Sequence, residues 1–338
     1  QSSDIEVLDQ FGYSVSISSD GNTAIVGAYG YDTIGINSGA AYIFTRVGST
    51  WSQQAKIEAL DKGGRVWFGW SVSISGDGNI AIVGARGNPY MGTDFGSAYI
   101  FTRTESTWTQ QAKMQAPDKK NDDYFGHSVS ISSLGNIAIV GAFAENSGGS
   151  NAGAAYIFIR SGSNWTHQAK ILSSDIKAGD VFSRDAVSIW SDGDTATAIV
   201  GARWENTVGN RAGAAYIFTS DDITSNFGIT DVDTGEDFID VDTIWIQKSK
   251  IQSPNGQDND YFGQSISISS DGNTAIVGAL EDTGGTDAGA AYIFIRTGSA
   301  WTQEAKIQSS DIQAGDNFGY SVSISSDGNT AIVGAHGE

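Results

Sequence analysis

The chain is one unit of sequence repeated six times. Successive units begin 57, 57, 57, 80 and 56 residues apart, each at a phenylalanine: Phe11, Phe68, Phe125, Phe182, Phe262 and Phe318. Units repeated at such a period cannot bury a hydrophobic face alone and must stack on their neighbours. The period therefore predicts a repeat architecture over residues 1–338 as a single domain.

Each unit contains four short runs with the composition of β-strands. In the copy that begins at Phe262 they are SISIS, AIVGA, AYIF and WTQEAKI. Alternating, β-branched and aromatic residues favour strands, and Asp271-Gly272-Asn273 between the first two runs is typical of a tight hairpin. Each unit is thus predicted to be a four-stranded antiparallel meander.

Residue size indicates how the sheets are arranged. Ser, Gly and Ala dominate the first two strands, whereas Tyr, Ile, Phe and Trp dominate the last two. Such wedges suit an all-β fold, a β-propeller of four-stranded antiparallel blades, which here has about six blades with the last one incomplete. An open β-solenoid is the weaker alternative, because its coils are usually shorter. The fourth unit carries an insertion at about residues 220–243.

The motifs resemble a known family. Phe-Gly at the start of a unit, Val-Gly-Ala after the turn and Gly-Ala-Ala-Tyr-Ile-Phe after the variable loop are similar to the bacterial FG-GAP type repeats, which are related to the integrin α-chain propeller. The resemblance implies a propeller that is secreted or on the cell surface. Integrin repeats often bind calcium in a DxDxDG-type loop. The turns here read only SSDGN, which argues against calcium in every blade.

Composition excludes several classes of function. A net charge of −20 argues against nucleic acid and anionic membranes as partners. The absence of Cys excludes disulfides and thiol chemistry. No apolar run approaches the roughly 20 residues of a membrane helix, so we expect no membrane insertion.

The sixth unit ends after two strands. Glu338 aligns with Asp282 of the fifth unit, and the counterpart of residues 283–307 is not in the sequence. The closing strands lie beyond a terminus, or another subunit supplies them, or the blade stays open. In the second case the edge would accept a neighbour's strands and a homopolymeric filament could form. That predicted self-assembly edge is Thr330, Ala331, Ile332, Val333, Gly334 and Ala335.

Ligand-binding residues are expected where the copies differ. One variable position follows Phe-Gly, or Phe-Ser in the fourth copy, and a second follows Gly-Ala. In a ring each set would lie at one level around the axis. The first set is Tyr13, Trp70, His127, Arg184, Gln264 and Tyr320, and the second set is Tyr29, Arg86, Phe143, Arg203, Leu280 and His336. The predicted ligand-binding residues are Tyr13, Trp70, His127, Arg184 and Tyr320 of the first set, together with Trp204. Their aromatic rings, with nearby carboxylates such as Glu145 and Glu205, would suit a sugar. The alternative is that they only fill space between blades.

The insertion in the fourth unit is a candidate calcium site. Asp231, Asp233 and Asp237 flank Gly235, and alternating oxygen ligands around a turning glycine suit a hard cation. The spacing lacks the full EF-hand pattern. A solvated acidic loop is the competing interpretation, and no other cofactor is indicated.

No catalytic residue is predicted. His127, His167 and His336 lack zinc-site spacing, and no nucleophile elbow or phosphate-binding loop occurs. The aspartates that recur in most units, such as Asp123 and Asp180, are expected to cap loop N–H groups. The 39 acidic residues leave room for a glycosidase-type pair assembled across blades.

Together these features predict a non-enzymatic extracellular or cell-surface scaffold or adhesion propeller that assembles through its unfinished blade. The alternative is a lectin-like propeller that binds a glycan, with or without calcium. A protein ligand is also compatible with either function.

Overall fold

The structure is a computed structural model that describes residues 6, 8–32, 37–61, 65–87, 95–221, 244–281 and 285–337. In this part of the chain the strands form five four-stranded antiparallel sheets and one two-stranded sheet. Each four-stranded sheet is a meander whose strands pair in chain order. The predicted blade architecture is confirmed, as five complete blades and a half blade. Among these residues no helix is long and apolar enough to span a membrane.

The strand bounds repeat from blade to blade. Blades 1 and 2 contain β1 (Phe11–Ile17), β2 (Thr23–Ala28), β3 (Ala40–Val47), β4 (Thr50–Ile57), β5 (Phe68–Ile74), β6 (Ile80–Ala85), β7 (Ser97–Thr104) and β8 (Thr107–Met114). Blades 3 and 4 contain β9 (Val129–Ile131), β10 (Ile137–Ala142), β11 (Ala154–Ser161), β12 (Asn164–Ile171), β13 (Val187–Ser191), β14 (Ala196–Ala202), β15 (Ala214–Asp221) and β16 (Ile244–Ile251). Blade 5 contains β17 (Ser265–Ile268), β18 (Thr274–Ala279), β19 (Ala290–Thr297) and β20 (Ala300–Ile307), and the half blade is β21 (Phe318–Ile324) with β22 (Ala331–Ala335).

The hydrophobic cores lie between neighbouring blades. Phe68, which begins blade 2, is fully buried and packs edge-on against Tyr99 and Phe101, with ring centroids 5.5 and 5.9 Å away. The same cluster includes Ile25 and Ile43 of blade 1. Each inter-blade core therefore needs the sheet on either side of it.

Serine hydroxyls connect the innermost strands of successive blades. The N–H of Ile74 donates to Ser16 Oγ at 3.2 Å, and that of Ile131 donates to Ser73 Oγ at 3.2 Å. The bond recurs at the next three steps around the axis, from Ile189 to Ser130, from Ile268 to Ser188 and from Ile324 to Ser267. Small polar residues thus occupy the inner strands because they tie the blades together.

Glycine in the Val-Gly-Ala run is required by close backbone approach. A Cβ on Gly84 would overlap the carbonyl oxygen of Gly126 in blade 3. Gly27 and Gly278 meet the next blade in the same way. The motif therefore encodes the docking of one blade onto the next.

The recurring aspartates cap loop N–H groups, as predicted. Asp123 Oδ2 accepts from the N–H of Lys120 at 2.8 Å, and Asp180 Oδ2 accepts from that of Lys177 at 2.7 Å. Both aspartates are buried. Their repetition reflects a structural task.

Candidate functional site

The first variable position of each unit lies at one end of the ring, which we call the axial mouth. Tyr13 contacts Trp70 with ring centroids 4.7 Å apart, and Trp70 contacts His127 at 5.3 Å. A ring nitrogen of His127, Nδ1, lies 2.5 Å from the carbonyl oxygen of Arg184. Tyr320 stacks on His336 at 4.7 Å. The structure therefore brings the predicted residues together, while their binding role stays a prediction.

Arg86 is the centre of an aromatic box at the mouth. Its guanidinium carbon lies 3.7 Å from the ring centroid of Trp70 and 4.5 Å from that of Trp67. Tyr29 contacts both indoles, at 4.7 and 6.2 Å. Burial lowers the pKa of Arg86, and the charge of Arg184 lowers it further, against the opposing effect of nearby tyrosines. Trp67 and Trp70 stack on each other with ring centroids 5.6 Å apart, so the Arg86 guanidinium lies beside the stacked pair and contacts both indoles.

Two N–H donors in this box are buried and have no hydrogen-bond acceptor among the described residues. They are Arg86 Nε and Trp67 Nε1. Buried donors are normally paired, because an unpaired one costs about 1–3 kcal/mol. The pair marks the box as a place where an acceptor atom would be stabilised.

Two further arginines reach the mouth and share one carboxylate. Arg203 Nε lies 2.9 Å from Asp185 Oδ2, an ion pair whose alignment falls short of a hydrogen bond. Arg184 Nε lies 3.9 Å from Asp185 Oδ1. Arg203 Nη1 also donates to Gln264 Oε1 at 2.6 Å. Burial raises the pKa of Asp185 although the three arginines oppose the rise.

His127 is buried and uncharged at neutral pH. Burial lowers its pKa well below the usual value, and the charges of Arg86, Arg184 and Arg203 act in the same direction. Because a carbonyl oxygen only accepts, Nδ1 carries the proton and donates to Arg184 O. His127 therefore fixes the backbone of Arg184 and adds no charge to the mouth.

Trp204, the other predicted aromatic contact, lies among arginines. The guanidinium carbons of Arg184, Arg203 and Arg211 are 5.0, 5.7 and 4.9 Å from its ring. The arginines and aromatic residues of the mouth thus continue into the loop that follows β14.

Sequence reasoning missed Asp185. The carbonyl of Ala186 accepts from Gly201 N as that of Ser128 does from Gly141 N, so Ala186 takes the place of the usual serine. Asp185 is therefore an extra residue in the segment between Phe182 and the first strand of the fourth unit, β13. The lengthened run Phe-Ser-Arg-Asp-Ala was the signal that could have revealed it.

The carboxylates expected beside the aromatic rings serve elsewhere. Glu145 and Glu205 are only 1% exposed and pair with Lys170 and Lys250, each at 3.1 Å. The same two lysines also contact Asp118 and Asp175 in the preceding linkers, each at 2.7 Å. Because this arrangement repeats in blades 3 and 4, it fastens each outer strand to the preceding linker.

The recurring outer tryptophans do more than pack. Trp108 Nε1 donates to Gln54 Oε1 of blade 1 at 2.9 Å, and Trp165 Nε1 donates to Gln111 Oε1 of blade 2 at 3.0 Å. Trp245 makes the same bond to Gln168 at 3.2 Å. These bonds join the outer strands of neighbouring blades.

The half blade has an open edge and an open face. Ile332 in β22 is 72% exposed, whereas its counterparts Ile82 and Ile276 are fully buried. The predicted edge residues Thr330, Ala331, Ile332, Val333, Gly334 and Ala335 coincide with β22 and the residue before it. In the described residues, β22 pairs only with β21.

Blade 1 presents the matching open face. Val15 and Ile17 in β1 are 66% and 55% exposed, whereas Val72 and Ile74 in β5 are 7% and 6% exposed. A Cβ on Gly12 would meet nothing within 4 Å, although the equivalent Gly69 abuts the Ala40 carbonyl. The face that other blades bury against their predecessor is thus uncovered here.

A cavity of about 850 Å³ runs along the axis and into the seam between blade 1 and the half blade. One isoleucine from each sheet lines it: Ile17, Ile74, Ile131, Ile189, Ile268 and Ile324. Val26 of blade 1 and Ile332 of the half blade line the seam. The two open surfaces therefore line one cavity, together with serines of the inner strands.

The candidate calcium ligands Asp231, Asp233 and Asp237 lie outside the described residues. Within the described ranges no group of three or more His, Cys, Asp or Glu side chains is arranged to hold a metal ion.

The comparisons with known proteins agree with the architecture. The sequence model of the FG-GAP repeat family matches residues 1–44, 51–101, 108–158, 165–218, 245–294 and 301–338. The periplasmic gluconolactonase of Pseudomonas aeruginosa is a similar solved structure, with 12% identity and a TM-score of 0.56 over 95% of this chain and 77% of that one. At this identity the likeness concerns the fold alone. No curated protein matches the chain. The matched repeats span most of its length, and the chain belongs to the FG-GAP repeat family.

Proposed function

We propose that this chain is a non-enzymatic scaffold or adhesion propeller, secreted or on the cell surface, that assembles by accepting a β-hairpin into its half blade. The single observation that supports this most strongly is that the edge of β22 away from β21 is unpaired among the described residues. Unpaired strand edges are templates for strand addition.

The register of the complete blades defines the occupant. In blade 5 the second strand pairs with the third through Val277↔Tyr292 and Ala279↔Ala290. The second and third strands of the other four complete blades pair in the same way. A hairpin with the Ala-Ala-Tyr-Ile-Phe and Trp-x-x-x-Ala-Lys-Ile pattern would therefore continue the half blade.

Backbone geometry identifies the groups that the hairpin would use. Gly141 in blade 3 donates to Ser128 O on the first strand, so its neighbour Val140 points toward the third strand. Val333 corresponds to Val140, because it pairs with Val322 as Val140 pairs with Val129. The N–H and C=O of Val333 thus point toward the open edge.

Apolar burial would stabilise the same complex. Closing the seam would cover Val15, Ile17 and Ile332, which are each more than half exposed. Burying an exposed Val or Ile side chain contributes about 1.5–3 kcal/mol. The hairpin would gain main-chain hydrogen bonds, and closure of the seam would add apolar burial to the complex.

We propose a neighbouring molecule as the donor of the hairpin. If that neighbour is a second copy, each copy is both donor and acceptor, and a filament results. The five Tyr-Ile-Phe strands of the described residues are already paired on both edges. A donating copy would therefore contribute strands from outside these residues or exchange one of its own.

The experiment uses a labelled synthetic peptide with the sequence of residues 288–307, titrated with the chain and followed by fluorescence anisotropy. We expect saturable binding, retained in Val333→Ala and lost in Val333→Pro, because only proline removes the backbone N–H. The control for sequence specificity is the same peptide with serine in place of Tyr292 and Phe294. Binding that survives Val333→Pro would contradict strand addition.

Solution size then tests the filament. Light scattering of the wild-type chain at rising concentration should reveal assemblies that Val333→Pro abolishes. A chain that stays monomeric while binding the peptide would contradict self-assembly and leave another protein as the donor.

A carbohydrate ligand at the axial mouth is the second candidate. Tyr13 and Tyr320 support it, since these residues are 52% and 44% exposed and aromatic faces suit sugar C–H surfaces. Replacing Trp70 or Trp204 with alanine should remove binding in a glycan array while Val333→Pro leaves it intact. An array with no hit would contradict this candidate.

We also propose that the protein has no enzymatic activity. The gluconolactonase is an enzyme by its name, and its likeness to this chain is in the fold. Glucono-δ-lactone should hydrolyse at the same rate with and without this protein. An acceleration that one carboxylate substitution removes would overturn the non-enzymatic assignment.

A further inference from the structure

The axial mouth is a local positive region on an acidic protein. Arg86, Arg184 and Arg203 converge there with one carboxylate, Asp185, whereas the whole chain carries a net charge of −20. The mutual repulsion is visible in the pKa of Arg184, which burial lowers and the charge of Arg203 lowers further. Like charges held together in partial burial are costly unless a counter-charge joins them.

The three arginines differ in how they are paired. Arg203 forms an ion pair with Asp185 and donates a hydrogen bond to Gln264, and Arg184 lies near Asp185. Among the described residues, Arg86 has aromatic faces on its guanidinium and no carboxylate. Arg86 is therefore the guanidinium that is ready to take an anion.

We propose that the aromatic box around Arg86 binds the carboxylate of an acidic sugar, such as a uronic acid residue. A planar carboxylate pairs well with a guanidinium, and the Arg86 guanidinium is held in place by contact with Trp70 and Trp67. The exposed rings of Tyr13 and Tyr320 lie at the same mouth as seats for the sugar ring.

Arg184 acts through charge rather than direct pairing. Its guanidinium is close enough to lower the pKa of Arg86. A bound carboxylate would relieve that repulsion. Asp185 opposes binding, because it neutralises part of the same positive region. This proposal shares its surface with the carbohydrate-binding candidate, refines the ligand of that candidate and does not depend on strand addition at the edge of β22.

The test is a calorimetric titration with D-glucuronate, D-glucuronamide and inorganic phosphate at pH 7. We expect glucuronate to bind at least about tenfold more tightly than the neutral amide, because the charge-assisted bonds need the carboxylate. Phosphate should bind more weakly than glucuronate, since it offers the sugar-facing tyrosines nothing. Equal binding of glucuronate and its amide would overturn the proposal, as would tighter binding of phosphate.

Variants separate a binding role from a structural one. Arg86→Gln should weaken glucuronate about tenfold or more, and Arg86→Lys should weaken it less, since it keeps the charge but loses the planar fork. Asp185→Asn should tighten binding several-fold, an effect in the direction opposite to damage. The matched control is Arg103→Gln. Arg103 also lies over a tryptophan, Trp108, but bonds to Asn79 at the opposite end of the blade.

The outcome of the variants is decisive in either direction. Loss in Arg86→Gln with an unchanged Arg103→Gln supports the proposal, provided that both keep the wild-type melting temperature. If Arg86→Gln does not fold, the opposite shifts in Arg86→Lys and Asp185→Asn carry the test. Unchanged affinity in Arg86→Lys and Asp185→Asn would overturn it.

Discussion

Ser16 Oγ accepts a hydrogen bond from the backbone N–H of Ile74 in the next blade, at 3.2 Å. The equivalent bond joins every successive pair of sheets up to the half blade. Among the described residues, the corresponding serine of the half blade, Ser323, has no such partner. Ser323 therefore serves as an internal control, because it is the equivalent serine without the hydrogen bond to a next blade.

Ser73→Ala should lower the free energy of unfolding by about 1–3 kcal/mol, because the buried N–H of Ile131 loses its acceptor. Ser323→Ala should change it by less than about 0.5 kcal/mol. Urea denaturation measures both variants. An equal loss in Ser323→Ala would contradict the open seam.

Gly84→Ala should be strongly destabilising, because its Cβ would overlap the backbone carbonyl of Gly126. Overpacking of this kind costs about 1–3 kcal/mol or more. Gly334→Ala is the matched control, since its Cβ would meet only the hydroxyl of Ser321, which can rotate away. Thermal melting should separate the two variants, and indistinguishable melting temperatures would refute the docking role of this glycine.

Val72→Ala should cost about 1–3 kcal/mol through loss of buried apolar contact, since Val72 is 7% exposed. Val15→Ala should cost little in the isolated chain, because Val15 is 66% exposed. Val15→Ala should, however, weaken binding of the residue 288–307 peptide, because closure of the seam would bury Val15. A large loss of stability in Val15→Ala without peptide would mean that the face is already covered.

Asp180 should make stability fall as the pH rises. Burial, with the nearby charges of Glu205 and Asp175, raises its pKa from 3.8 to about 6. A raised carboxyl pKa gives stability that is fully present below pH 3.8 and is lost as the pH passes about 6, on the order of 1–3 kcal/mol.

Asp180→Asn should remove this slope, because the amide still accepts from Lys177 but does not ionise. The difference in unfolding free energy between wild type and Asp180→Asn is measured at pH 4 and pH 7. Asp118→Asn is the control of opposite sign. Burial opposes ionisation of Asp118, but hydrogen bonds from Lys170 and Tyr156 lower its pKa, so its contribution is lost toward acid pH. A pH-independent difference for Asp180→Asn would contradict its raised pKa.

Much of this structure follows from the repeat alone. The period, the Asp-Gly-Asn turns and the Val-Gly-Ala runs predict the blades and the open edge, because local strand patterns and blade docking repeat in every copy. Comparison of the copies also brings Trp70, Arg86 and Arg184 to one mouth. The pairing of Asp185 with Arg203 does not follow, since it depends on a one-residue insertion that shifts a side chain in space.

The roles of Glu145 and Glu205 did not follow from the sequence either. Glu145 follows an aromatic residue of the mouth in sequence, yet it turns away to bond Lys170 on the outer strand. Similarly, the Trp165 indole reaches Gln111 in the preceding blade, a contact that no pattern within one unit contains.

Backbone amide hydrogen exchange at Val333 and Val277 tests strand addition most directly. Val277 pairs with Tyr292 and is fully buried, so its amide should exchange slowly. Val333 should exchange rapidly in the chain alone and become protected, by about two orders of magnitude or more, when the hairpin of residues 288–307 is added. Protection of Val333 before the peptide is added, or none after saturation with it, would contradict the proposal that this edge accepts a strand.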